Sequence, residues 1–173
     1  VGITPARLLR WAVAALIALS LALALLAPAS AQGLPRSSWK RTATPEQFIE
    51  AVQPYALWVQ ETYGIPAAAL IAQSALETGW GRYVSGNNLF GITRHGRLKK
   101  YTSVLDSFLD YVSVITKLSR YRLARSLYHN PEAYVLALKL AGYAEDPHYA
   151  EKIIQIMRDY DLIERFPAVE ERL

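Results

Sequence analysis

Proline and glycine punctuate this chain at intervals that suit helices and little else. Thr44, Pro45 and Gln47 have the form of a capping box with proline at the first helical position. The helix they open is expected to reach about Tyr63, where Gly64 supplies a left-handed closing residue. Pro66 opens a second helix to roughly Thr78, and Gly79 stops it. Asp106 or Ser107 is expected to cap a third, ending near Leu118, with a shorter one at Tyr121–Tyr128. Pro131 and Pro147 open two more, running to Leu140 and to about Tyr160. Only Gly86–Lys100, with Gly86, Gly91 and Gly96 among β-formers and basic residues, departs from helical spacing. It reads as a loop followed by a small hairpin. The pattern predicts a mainly α fold of the α+β kind, one domain over residues 44–165. A polar linker at 32–43 should precede it and a tail at 166–173 follow it.

The first residues bear on the compartment. Arg7 and Arg10 precede an uncharged apolar run, Trp11–Ala27, and Ala29-Ser30-Ala31 has the small-x-small form of a cleavage site. These are the parts of a secretory signal peptide over residues 1–31, with cleavage expected after Ala31. The apolar run would span about 26 Å as a helix, just short of a hydrocarbon core. Attachment to a membrane is therefore expected only if cleavage fails, and either way the domain works outside the cytoplasm. Of the formal net charge of +4, Arg7 and Arg10 supply two units, so the working domain is nearly balanced. That balance leaves no nucleic-acid footprint. The absence of cysteine excludes thiol nucleophiles, and an exported domain of this size must hold together without disulfides.

Chemistry concentrates on the second helix. Ala68, Ile71, Ala72, Ala75 and Leu76 form its apolar stripe, while Gln73, Ser74 and Glu77 share another face. Glu77 lies in the last turn, where the negative end of the helix dipole disfavours an ionised carboxylate. A raised pKa is what a general acid near neutral pH requires. A solvated glutamate at a helix end would share the same spacing.

Four ordered blocks resolve that ambiguity. Ala75-Leu76-Glu77-Thr78-Gly79-Trp80-Gly81 resembles the signature of the bacterial endo-β-N-acetylglucosaminidases, glycoside hydrolase family 73, which includes flagellar rod muramidases and autolysins. Gly86-Asn87-Asn88-Leu89-Phe90-Gly91-Ile92 is similar to that family's cleft-floor loop. Tyr101, Ser103, Asp106, Ser107 and Tyr111 resemble its hairpin exit and following helix. Ala141-Gly142-Tyr143-Ala144-Glu145-Asp146-Pro147, with Tyr149 and Ala150, is similar to its late loop. The resemblance covers roughly residues 52–160. It implies a lysozyme-like fold, with a helical lobe and a small β lobe, here shortened to a hairpin relative to the family's commonly longer one, flanking a cleft that takes peptidoglycan glycan strands. It also implies Glu77 as the acid that protonates the glycosidic oxygen, and Tyr143 across the cleft near the cleaved bond.

Gln73, Trp80, Asn88, Phe90 and Tyr101 are expected to contact sugars along that cleft. For Trp80 and Phe90 the competing reading is a core aromatic, and for Asn88 a turn former. Members of the family often carry a second acidic residue in the β lobe, yet residues 93–105 here contain neither Asp nor Glu. Instead they hold Arg94, His95, Arg97, Lys99 and Lys100. Asp106 is the nearest substitute, with helix capping as its competing role. Without a second carboxylate, the substrate's acetamido group or a loosely held water would complete the reaction. No cofactor or metal is expected, since His95, His129 and His148 lack ligand spacing, and no Gly-x-Ser-x-Gly elbow occurs. A monomer is expected. The competing functions are a lytic transglycosylase-like muramidase, which releases anhydro-sugars, and a glycan-binding module without catalysis.

Overall fold

The computed structural model of the protein describes residues 33–168, so the expected signal peptide and most of the expected tail lie outside the described residues. Helix α1 spans Pro45–Tyr63. Thr44 Oγ1 accepts from Gln47 N at 3.2 Å, and Gln47 Oε1 takes the amide of Ala43 at 3.0 Å, one residue earlier than in a strict capping box. Gly64 closes the helix with a φ of 76°. Pro54 sits inside α1 without ending it.

Helix α2, Ala67–Thr78, runs through the middle of the domain. Every residue from Ala67 to Ala75 is buried. A helix apolar nearly all round must be enclosed, and five alanines in its length let neighbours approach closely. The expected division into a buried apolar stripe and a separate polar face is therefore corrected: Gln73 and Ser74 are buried as well.

After α2 the chain forms a loop, then β1 (Thr93–Arg94) and β2 (Arg97–Leu98), paired antiparallel with Thr93 opposite Leu98. His95 and Gly96 form the two-residue turn, both at positive φ (52° and 72°), which matches the twist of a hairpin. Helix α3 is Val104–Lys117. Its N-cap is Ser103, whose Oγ accepts from Asp106 N, so the expectation that Asp106 or Ser107 caps it is corrected. The Ser-x-x-Asp spacing puts Asp106 in the first turn, where a carboxylate is favoured by the helix dipole. A 3₁₀ turn (Ser119–Tyr121) and α4 (Arg122–Ser126) replace the single short helix expected at Tyr121–Tyr128. Helix α5 is Pro131–Leu140, capped by Asn130. Helix α6 is Tyr149–Asp159, two residues later than Pro147 suggested, because Asp146 Oδ1 first holds His148 N in a turn. A final short helix, α7 (Leu162–Arg165), was not expected. Helices α1, α5, α6 and α7 all pack on α2.

The segment expected to be a linker is instead fastened to the domain. Trp39 donates its indole N–H to Gly81 O at 2.9 Å and its backbone N–H to Asn87 Oδ1 at 2.7 Å. Thr42 Oγ1 donates to Trp80 O, and Tyr55 donates to Pro35 O. At the other end Phe166 is buried and Pro167 O accepts from Gln60 Nε2, so the expected tail begins inside the packed structure. Among the described residues no helix is long and apolar enough to cross a membrane.

Candidate active site

Glu77 projects from the last turn of α2, just before the chain reverses. The reversal requires three consecutive positive φ values, at Gly79 (55°), Trp80 (59°) and Gly81 (76°). Thr78 Oγ1 ties the turn down, donating to Ser74 O and accepting from Gly81 N. A Cβ on Gly81 would lie 2.3 Å from the Trp39 ring, so this glycine is what admits the N-terminal segment. The Glu-Thr-Gly-Trp-Gly run is thus one local device: an acid at a helix end and the tight turn that exposes it.

Two neighbours fix the carboxylate of Glu77. The Tyr149 hydroxyl, at the start of α6, donates to Oε1 at 2.8 Å. Gly91 approaches Oε2 so closely that an added Cβ would sit 2.7 Å from it. Gly91 also holds a φ of 64°, so both space and backbone demand glycine there. Glu77 stays accessible to solvent, yet the surrounding protein removes enough water to raise its pKa, with the Tyr149 hydrogen bond opposing. The direction matches the expectation from sequence; the leading cause is burial.

The loop that presents Gly91 is braced by Asn88. Its Nδ2 donates to Ile92 O and Lys99 O, and its Oδ1 accepts from Phe90 N and Ile92 N. Asn88 is 3% exposed with its amide fully engaged, so the expected sugar contact is corrected to a loop brace. Phe90, 1% exposed, packs against Tyr111 at 4.3 Å and Phe108 at 4.9 Å, and is likewise a core residue. Gln73 is fully buried, its amide bonded to Tyr149 and Tyr111, which removes it from any sugar-contacting surface. Trp80 is half-buried between Phe48 and Tyr160, with centroids at 5.8 and 4.5 Å.

Tyr143 stands one ring away from Glu77. Its ring stacks on Tyr149 at 5.8 Å, and its hydroxyl donates to Phe90 O at 3.1 Å, beside Gly91. Burial raises its pKa most, and the charge of Glu77 adds to that rise. The side chain bonded to Glu77 is Tyr149, which belongs to the same sequence block as Tyr143 and carries no site role in the sequence pattern. Its signal was the helix start set by Asp146-Pro147, which puts Tyr149 in the first turn.

Asp106 and Asp110 both lie on α3. Asp106 accepts from Thr102 and Ser103 and pairs with Arg36 at 3.1 Å; these hydrogen bonds hold its pKa down. Asp110, missed in the sequence, accepts from Lys99 Nζ at 2.6 Å and from the Tyr101 hydroxyl at 2.7 Å. Burial pushes Asp110 upward, but these two hydrogen bonds together with the charges of Lys99 and Lys117 outweigh it and its pKa falls. Burial and Asp110 together raise the pKa of Tyr101. Neither aspartate is a hydrogen-bond partner of Glu77 or Tyr149. Among the described residues no group of histidines and carboxylates is arranged to hold a metal.

The family model described as mannosyl-glycoprotein endo-beta-N-acetylglucosaminidase, the glucosaminidase domain, matches residues 53–162. The chain belongs to this family. The matched span holds Glu77, the Gly91 loop, Tyr143 and Tyr149, so the glucosaminidase domain contains the whole arrangement described above. Peptidoglycan hydrolase FlgJ of Pseudomonas aeruginosa is 35% identical over 147 residues, covering 67% of this chain and 37% of that protein. Exo-glucosaminidase LytG of Bacillus subtilis is 27% identical over 180 residues, covering 86% of this chain and 64% of that protein. The chain thus spans well under half the length of the first of these curated relatives. The glycoside hydrolase domain of Salmonella typhimurium FlgJ superposes with a TM-score of 0.61 at 26% identity, over 71% of this chain and 92% of that one. The fold is that of the lysozyme-like glycoside hydrolase domains of the glucosaminidase family.

Proposed function

We propose that this glucosaminidase domain hydrolyses β-1,4 glycosidic bonds in the glycan strand of peptidoglycan, with Glu77 as general acid. One observation carries the reading: a solvent-accessible carboxyl at a helix end, held through Oε1 by Tyr149, with Oε2 against Gly91, and raised in pKa. Such a group keeps its proton nearer neutral pH and delivers it from a set position. The names of the FlgJ and LytG relatives support the substrate.

Glu77 protonates the oxygen of the leaving sugar. Asp106 and Asp110 are each committed to other partners, which favours participation by the substrate's own acetamido group over a second enzyme carboxylate. Tyr143, next in the aromatic row, flanks the reacting sugar, and the half-buried Trp80 and Tyr101 are the remaining candidates for sugar contact. The signal-peptide pattern of residues 1–31 supports export to the periplasm or cell wall. Arg94, Arg97 and Lys100 are exposed and make no ion pair among the described residues, so the hairpin presents net positive charge to an anionic wall.

Glu77→Gln keeps the shape of the side chain and removes the transferable proton. Release of soluble fragments from purified wall should fall by about 10²-fold or more, with the fold intact. A folded Glu77→Gln protein with near-normal activity refutes the assignment. Anhydro-sugar ends among the products would establish the transglycosylase reading instead.

A further inference from the structure

Four buried side chains lie behind Glu77 in an unbroken line. Tyr149 donates to Glu77 Oε1 at 2.8 Å, and Gln73 Nε2 lies 2.9 Å from the Tyr149 oxygen. Gln73 Oε1 lies 2.7 Å from the Tyr111 hydroxyl, which is 2.9 Å from the Tyr134 hydroxyl. Gln73, Tyr111 and Tyr134 are 0% exposed and Tyr149 is 4% exposed.

The chemistry of the groups allows one ordering of protons along this line. An ionised Glu77 can only accept, so Tyr149 spends its single proton on Oε1. Tyr149 can then only accept from Gln73, which sets the Gln73 amide with nitrogen toward Tyr149 and oxygen toward Tyr111. Tyr111 spends its proton on that oxygen, and the contact with Tyr134 must have Tyr134 as donor. Every donor points toward the carboxylate, and hydrogen bonds so aligned polarise one another.

We propose that the chain Tyr134–Tyr111–Gln73–Tyr149 is a positioning device, which holds a donor on Glu77 Oε1 and so places the transferable proton on Oε2. Oε2 is the oxygen beside Gly91, where the missing side chain leaves it open. Tyr149 is the positioning residue, and the other three act through it. The inference rests on Glu77 being the general acid.

The titratable groups facing the Glu77 carboxyl are Tyr149 from α6 and, one ring further, Tyr143 from the loop before it. The loop at Phe90–Gly91 meets it with backbone, and no charged side chain among the described residues contributes to its shift. Removing a donor from a carboxylate raises its pKa. The alkaline limb of the kcat/KM profile, where the acid loses its proton, should therefore move to higher pH by about one unit in Tyr149→Phe. Tyr111→Phe, two hydrogen bonds farther out, should move it the same way by less. The double variant should move it no further than Tyr149→Phe alone. A carbon-13 titration of the Glu77 carboxyl should show the same order without any turnover, so the chain is tested even if Glu77→Gln proves active and the acid assignment falls. If Tyr111→Phe does not fold, Tyr134→Phe interrupts the same line and carries the same expectation. A limb and a carboxyl titration that Tyr111→Phe and Tyr134→Phe leave unmoved, or additive shifts in the double variant, overturn the proposal.

Discussion

Glu77 sits where its charged form is disfavoured, and that has a consequence for stability as well as for proton transfer. A carboxyl whose folded pKa is raised supports the fold fully below the unfolded value, about 4.3 for glutamate, and that support is lost as pH rises through the folded value. Glu77→Gln should therefore raise the melting temperature at pH 7, with the gain shrinking as the pH is lowered to about 4. A loss of stability at pH 7 would contradict the burial described. Asp106 and Asp110 act with the opposite sign. Their folded pKa values are lowered, so their contribution is present above about 3.9 and is lost as pH falls through the lower folded values. Gly91→Ala tests the other oxygen of Glu77. The new methyl must displace Oε2, and a displacement of the order of an ångström costs roughly 10²-fold in turnover. Turnover of Gly91→Ala within a few-fold of the parent would show that Oε2 does not need its position.

At the scale of elements, the hairpin and the N-terminal segment make separable predictions. The hairpin is exposed on both strands and contributes little to the core. Replacing Arg94, Arg97 and Lys100 together by serine should leave the melting temperature unchanged while raising KM on intact wall. The dependence of KM on salt should weaken as well, since exposed charges are screened over about 10 Å at 0.1 M. A variant with unchanged KM and salt dependence would reduce the hairpin to a solvated surface. The segment before α1 is expected to matter for stability instead. Trp39→Ala removes an aromatic contact with Phe48 at 5.4 Å and the indole bond to Gly81 O, while keeping the backbone bond to Asn87, and should cost about 2–4 kcal/mol by denaturant unfolding. This segment was not legible in the sequence because its polar composition resembles a linker; only its partners, Gly81 O, Asn87 and Trp80 O, show that it is fastened. The helix ends, by contrast, were readable, because Thr44, Pro45, Gly64 and Gly79 act locally. The start of α3 is not legible locally for a physical reason: Ser103, Asp106 and Ser107 all suit a cap, and only the backbone tells which residue is extended.

In the whole molecule, the ordered motifs singled out Glu77 and the Gly91 loop, while tertiary contacts decided what each neighbour does. Gln73, Asn88 and Phe90 carry the right chemistry for sugar contact, but the fold uses their polar atoms and rings to build and brace the site. Tyr149 comes to Glu77 only because α6 packs on α2, and no local pattern encodes that approach. The result is a buried helix whose one open end presents a carboxyl held from behind by tyrosines and from the side by a glycine loop. The most direct test is mass spectrometry of the products of purified peptidoglycan, digested side by side with the parent protein and Glu77→Gln. Soluble fragments with reducing N-acetylglucosamine ends are expected from the parent and almost none from Glu77→Gln. Equal release by both proteins, or parent products ending in N-acetylmuramic acid or its anhydro form, would contradict it.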